Sequence, residues 1–155
     1  MTINLKNFLN TKPKLSKMGE FQELKPIDGL EISSFSADLY KNGRDDLALF
    51  YFKDGANYAA MYTSNSIVSQ TIEWNKKSNK SFTKALLVNT KNANTFTGDQ
   101  GVEGVDLVAK NLSRILTLRE SKSDQGVSET VKMKELIFAS TGVIGEKFPA
   151  ENIVS

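Results

Sequence analysis

A mixed α/β (α+β) domain, a layered sheet with covering helices, is the fold class that this sequence predicts. Three features predict it. Short apolar runs such as "KALLVNT" and "LIFAS" end in polar residues, the mark of buried strands. One longer stretch, Val102 to Leu116, repeats apolar residues at spacings of three and four, as a helix packed by one stripe does. The two kinds of segment alternate in the second half of the chain, and helices then lie on the faces of a sheet. At 155 residues the chain suits one domain, able to bury roughly two thirds of the surface of its unfolded state.

Element by element, residues 1–28 form a lead-in with no steady period, broken by Pro13 and Pro26. The organised domain runs over 29–155. "GLEISSFSADLYKNG" is β-rich, and Asn42–Gly43 marks a turn. "DDLALFYFKDGANYAAMYTSN" predicts two strands around Asp54–Gly55, a hairpin dipeptide. Leu47, Leu49 and Tyr51 alternate with Ala48, Phe50 and Phe52; both sets are apolar, which predicts that both faces are covered. "SIVSQTIEWNKKSNK" fits a strand or a short helix. A strand follows over 84–90, then the polar turn "NTKNANTFTGDQG". The helix comes next, with Val102, Val105, Val108, Ala109, Leu112, Ile115 and Leu116 on its stripe, Thr97 or Asp99 as its cap, and Asp99 and Glu103 at the positive end of its dipole. After a polar connection at 120–128, "LIFAS" predicts a buried strand leading into Thr141–Gly142. Pro149 suits the first position of a last helix.

Composition excludes several function classes. A net charge of +2 and no basic stripe interleaved with aromatics argue against nucleic acid. The densest basic cluster, Lys76, Lys77, Lys80 and Lys84, reads as a solvated loop. No apolar run approaches the ~20 residues of a membrane span, and "MTINLKNFLNTKPKLSKMGEF" lacks the apolar centre of a secretory signal. A cytoplasmic protein is expected. The chain contains no Cys and no His, so thiolate nucleophiles, Cys-type zinc sites and an internal Ser-His-Asp triad are excluded. Nucleophilic catalysis would have to use Ser, Thr, Lys or a carboxylate, and a hydroxyl would need a Lys or a free α-amino group as base.

Two turns could carry chemistry. In "STGVIG" the Gly142 N–H and the Thr141 hydroxyl could aim two donors at one point, as an oxyanion hole for acyl transfer does; by chemistry alone the segment reads first as an ordinary strand-to-loop turn. In "NTKNANTFTGDQG" the density of Asn89, Asn92 and Asn94 suits a structural scaffold, because Asn tolerates left-handed backbone and bonds local main chain. The alternative is that Asn92 and Asn94 bind substrate or orient a neighbouring loop. A phosphate cradle is disfavoured by Asp99 and by the lack of a Gly-Lys-Ser/Thr ending.

Taken together, these segments resemble the bifunctional glutamate N-acetyltransferase / ornithine acetyltransferase family of arginine biosynthesis. The family's N-[SA]-G-N-A-N-x-x-T-G-x-x-G block reads here Asn89 to Gly101, and its A-S-T-G-V-I-G block reads Ala139 to Gly145. Upstream, "NGRDDLALFY" and "YTSN" resemble "SGRPDLALI" and "T-x-N". The likeness runs from about Gly29 to Ile153. It implies the N-terminal, alpha-chain part of that fold. It also implies an acetyl group carried on a Thr that self-cleavage makes N-terminal, with N-acetylornithine or acetyl-CoA as donor and glutamate as acceptor. Acetyl-CoA would be a substrate, and no cofactor is implied. The oxyanion-hole role carries over to Thr141 and Gly142. The self-cleaving Thr, in an A-T-M-L-type motif some tens of residues further on in the family, has no counterpart here. The resemblance therefore implies a complementary chain carrying that Thr, amino-acid substrates, and paired chains in a larger oligomer. Lys91 stands where the family has Gly, and Thr95–Phe96 replace smaller residues. A non-catalytic homologue acting as a binding or assembly module is the alternative reading, and a stand-alone acyl hydrolase ranks last.

Overall fold

Alternating apolar residues build a four-stranded sheet in the computed structural model, which describes residues 25–78, 81–121 and 130–155. The strands are β1 (Leu30–Phe35), β2 (Leu47–Asn57), β3 (Phe82–Asn89) and β4 (Leu136–Ser140), in that spatial order. β1, β2 and β3 pair antiparallel, whereas β3 and β4 are parallel. A parallel pair needs a crossover, which the long helix α2 (Gly98–Glu120) supplies. Helix α1 (Gln70–Lys77) lies between β2 and β3 in sequence, and the short α3 (Ala150–Val154) follows β4. The mixed α/β class is as expected.

Among the described residues, only one face of the sheet carries the core. The cross-strand row Ser33–Leu49–Leu87–Phe138 and the row Glu31–Tyr51–Ala85–Leu136 face the helices. Tyr51, Ala85, Leu87, Leu136 and Phe138 pack with Val105, Val108, Ala109 and Leu116 of α2 and with Phe148 and Ala150. The opposite row, Ile32–Phe50–Leu86–Ile137, has no member in the core, and Ile32 is 61% exposed. The expectation that both faces are covered is thus met on one face. The helical stripe is also narrower than its sequence spacing implies. Val102 and Ile115 lie at its margins, about half exposed, while Gly101 and Gly104 occupy its inner side.

Several local expectations are corrected. Asp54–Gly55 does not turn a hairpin. It lies within β2, where the register with β3 shifts between Tyr51 and Ala56. Gly55 (φ 76) gives the left-handed backbone that such a bulge uses, and a Cβ there would overlap the Phe82 ring. Lys84 is not in a solvated loop: it is 2% exposed in β3, its Nζ donating to the Lys53 carbonyl (3.0 Å) and to Glu120 (3.3 Å). The ambiguous segment is helical, started by Ser69, whose hydroxyl accepts from the Thr71 N–H. Thr97 flanks α2 without capping it, because its hydroxyl donates to Asn94 Oδ1. Pro149 stands one residue before α3 rather than at its first position. The lead-in to residue 24, Lys80 and positions 122–129 lie outside the described residues.

Helix α1 seals the β4 edge. Asn75 donates from Nδ2 to the Phe138 carbonyl (2.8 Å) and accepts from the Phe138 N–H at Oδ1 (2.9 Å), replacing the strand that is not there. Trp74 Nε1 donates to the Leu136 carbonyl (3.1 Å), and its ring meets Phe138 edge-on. Asn75→Ala, which unpairs both Phe138 groups, should cost about 1–3 kcal/mol in urea unfolding. At the other end of the core, Tyr51 donates its hydroxyl to Glu120 (2.6 Å) beneath Arg119. Burial first, and then the Glu120 carboxylate, push the Tyr51 phenol above its usual 10.0. A raised folded-state value means stability present below pH 10 and lost as pH climbs beyond it. Wild type should therefore lose more stability between pH 9 and 11 than Tyr51→Phe does, as read by urea midpoints.

Candidate functional site

The two turns singled out by sequence leave the sheet side by side, at the carboxyl ends of the parallel strands β3 and β4, where open α/β sheets bind ligands. Asn89 and Ser140 are the last register pair. Beyond them the chains stay laced together. Thr141 N–H donates to the Asn89 carbonyl (3.0 Å), Val143 N–H to Lys91 (2.8 Å), Ala93 N–H to Val143 (3.0 Å) and Gly145 N–H to Thr95 (2.9 Å).

The Asn side chains make this lacing rigid. Asn92 is 2% exposed; its Nδ2 donates to the Glu146 and Lys147 carbonyls (3.0 and 3.1 Å), and its Oδ1 accepts from the Asn94 N–H (2.7 Å). Asn94, with no exposure, donates to the Gly101 carbonyl (3.2 Å) and accepts from the Thr97 hydroxyl. Asn89 donates to the Thr90 and Asn92 carbonyls and accepts from Ser140 Oγ (2.6 Å). Buried polar groups need partners, and these amides supply them for the turn's own backbone. Of the two roles open to Asn92 and Asn94, orienting the loops is the one their contacts describe.

Thr141 and Gly142 are both exposed. The Thr141 and Val143 N–H groups are engaged, yet among the described residues neither the Thr141 hydroxyl nor the Gly142 N–H has a hydrogen-bond partner. Gly142 (φ 136) presses directly on the Lys91 carbonyl and the Asn92 N–H, leaving no room for a Cβ. Left-handed backbone recurs through both turns, at Lys91, Asn94, Phe96, Gly98 and Gly145. Lys91 (φ 72) thus occupies a conformation that favours glycine. A cavity of about 570 Å³ opens beside the first turn, lined by Ser66, Ile67, Val68, Gln70, Glu73, Phe96 and Gly98. Neither Thr141 nor Gly142 lines it.

Two supports escaped sequence reasoning. Gln100 clamps the second turn from α2, its Nε2 donating to the Phe148 carbonyl (2.9 Å) and its Oε1 accepting the Phe148 N–H (3.0 Å). The buried Asp46 carboxylate accepts the Ala37 and Leu39 N–H groups (both 2.7 Å), and its own carbonyl accepts from Thr90 N–H (2.9 Å). An isolated amide in a helix gives no signal of its aim. Asp46 was visible only as part of a resembling block.

Residues 31–155 match the family model described as "ArgJ family". This chain belongs to the ArgJ family. Relatives named "Arginine biosynthesis bifunctional protein ArgJ" include one from Gluconobacter oxydans, 31% identical over 86% of this chain and 28% of that protein. Another, from Caulobacter vibrioides, is 32% identical over 81% of this chain and 29% of its own length. The chain therefore spans under a third of the length of these relatives. The fold is shared with two solved structures. An ArgJ from Bacillus halodurans has a TM-score of 0.65 and 24% identity, over 82% of this chain and 60% of that one. An ornithine acetyltransferase complexed with ornithine, from Mycobacterium tuberculosis, has a TM-score of 0.70 and 21% identity, over 82% and 63%.

Two substitutions test the packed turns. Lys91→Gly relieves left-handed strain and should raise stability by about 0.5–1 kcal/mol. Gly142→Ala pushes a methyl into backbone and should cost at least about 2 kcal/mol. Urea titration reads both, and a Gly142→Ala variant as stable as wild type would contradict the close approach.

Proposed function

We propose that this chain is the N-terminal part of a glutamate N-acetyltransferase / ornithine acetyltransferase of arginine biosynthesis, acting in the cytoplasm. On this reading it supplies the oxyanion hole, and a complementary chain supplies the Thr nucleophile. The observation that carries the proposal is the pair of exposed donors, Thr141 Oγ1–H and Gly142 N–H, which have no hydrogen-bond partner among the described residues. Donors held ready for charge that develops only in the transition state are how an oxyanion hole works.

The nucleophile's hydroxyl oxygen attacks the acetyl carbonyl carbon of N-acetylornithine, and its proton passes to that Thr's own α-amino group. The carbonyl electron pair moves onto oxygen, which accepts from Thr141 and Gly142. Collapse breaks the C–N bond, the ornithine nitrogen takes the proton and leaves, and an acetyl ester remains. With acetyl-CoA as donor, the C–S bond breaks instead. The amino nitrogen of glutamate then attacks the ester. The second oxyanion uses the same donors, and the Thr oxygen leaves and regains a proton. Paired chains in a closed symmetric assembly would surround the exposed turn.

The test is acetyl transfer by this chain combined with its complementary chain. Thr141→Val should lower kcat about 10²–10³-fold, with the donor KM and the melting temperature nearly unmoved because Thr141 is exposed. Thr141→Ser should recover most of the rate. An unchanged kcat in Thr141→Val would refute the assignment.

A further inference from the structure

We infer that a small charged pocket behind the first turn binds a free acidic α-amino acid. The inference stands on charge and geometry and does not depend on the functional reading above. The pocket, about 120 Å³ in volume, lies between the turn at 38–41, Lys91–Asn92 and the segment 146–152. That is well below the roughly 300 Å³ at which drug-sized ligands fit, so its occupant is small. Lys41, Lys91 and Lys147 line it together with Asp38 and Glu146. Among the described residues, none of these five side chains forms a hydrogen bond or an ion pair. Three ammonium and two carboxylate groups thus converge without engaging one another. Glutamate is their complement, with two carboxylates and one ammonium. Phosphate would bring a second anion to Asp38 and Glu146 and no cation to either. Ornithine, with two ammoniums and one carboxylate, would meet an excess of lysines.

The walls are fixed before any ligand arrives. Asp46 holds the first wall through the Ala37 and Leu39 N–H groups (both 2.7 Å). Asn92 holds the last through the Glu146 and Lys147 carbonyls (3.0 and 3.1 Å), and Gln100 grips Phe148 beside it. A preorganised site loses little freedom on binding. Backbone strain also gathers here. Of the five non-glycine residues with positive φ among the described residues, three line this pocket: Asp38 (φ 54), Lys41 (φ 53) and Lys91 (φ 72). Such conformations cluster at ligand sites, where the surrounding structure holds them. A glycine at 91, as in the resembling block, would relieve the strain and remove one cation. Neither Thr141 nor Gly142 lines the pocket, but Gly142 packs on the Lys91 carbonyl. The occupant therefore sits behind the exposed turn and not on it.

The test is calorimetric titration of L-glutamate into the full 155-residue chain. Saturable binding at one site is expected, weakening as salt rises because the lysines are exposed or half-buried. Lys91→Gly, which relieves strain and so keeps the fold, should weaken it about two- to fivefold. Lys91→Gly/Lys147→Ala should weaken it about tenfold. Lys110→Ala, exposed on α2, should bind as wild type does. Thr141→Val should also bind as wild type does, which separates this pocket from the oxyanion turn. Inorganic phosphate and ornithine should each bind at least about tenfold more weakly than glutamate. Three results would overturn the inference: no saturable glutamate binding by wild type, unchanged affinity in the double variant, or phosphate or ornithine bound as tightly as glutamate. Loss of glutamate binding in Thr141→Val would also overturn it, by assigning the amino acid to the exposed turn. Failure of acetyl transfer, by contrast, would leave this pocket standing and remove only the acetyltransfer reading.

Discussion

Everything near the candidate site depends on side-chain amides that pair backbone groups no regular element can reach. Where β3 and β4 end, the two chains continue as irregular turns, and side chains rather than a regular element pair several of their N–H and C=O groups. Leaving such a group unpaired costs about 1–3 kcal/mol each. Asn89, Asn92 and Asn94 prevent that loss by bonding carbonyls and N–H groups at 90, 92, 94, 101, 146 and 147. Gln100 does the same for Phe148, and Asn75 for Phe138 at the sheet edge. A carboxamide suits the task because it offers a donor and an acceptor in one plane, like a peptide unit. The Thr141 hydroxyl and the Gly142 N–H have no such partner among the described residues.

Glycine and packing set the remaining geometry. Gly101 lets the Asn94 and Thr97 side chains lie against α2, and a Cβ there would collide with both. Gly104 admits Phe148 and Ala150 to the same helix. α2 is therefore pressed against both turns over its first two rungs, while the rest of its length covers the sheet. The crossover that makes β3 and β4 parallel is also the brace that fixes what emerges from their ends.

Much of this was legible in the sequence, for identifiable reasons. β3 and β4 stood out because their apolar runs are short and sharply bounded, and α2 because its period holds for about four turns. Asp54–Gly55 misled because the dipeptide that closes a hairpin also makes a bulge, and only pairing partners distinguish them. Lys84 misled because its charge predicts solvent, whereas Glu120, 36 residues away, supplies a partner. The Thr141–Gly142 turn drew notice as part of a resembling block and not as chemistry, since Ser/Thr–Gly stretches are common. The clamps at Asn75 and Gln100 were illegible, because a lone amide does not reveal its contacts. The sheet face that carries no core among the described residues is the converse case. Alternation correctly marked both faces as apolar, but a single chain cannot show what lies across from it.

One consequence follows from the chemical nature of the clamps. None of Asn75, Asn89, Asn92, Asn94 or Gln100 can gain or lose a proton in water's working range. These amide clamps are thus indifferent to acidity, and any acid or alkaline limb in a rate profile must originate in groups other than them.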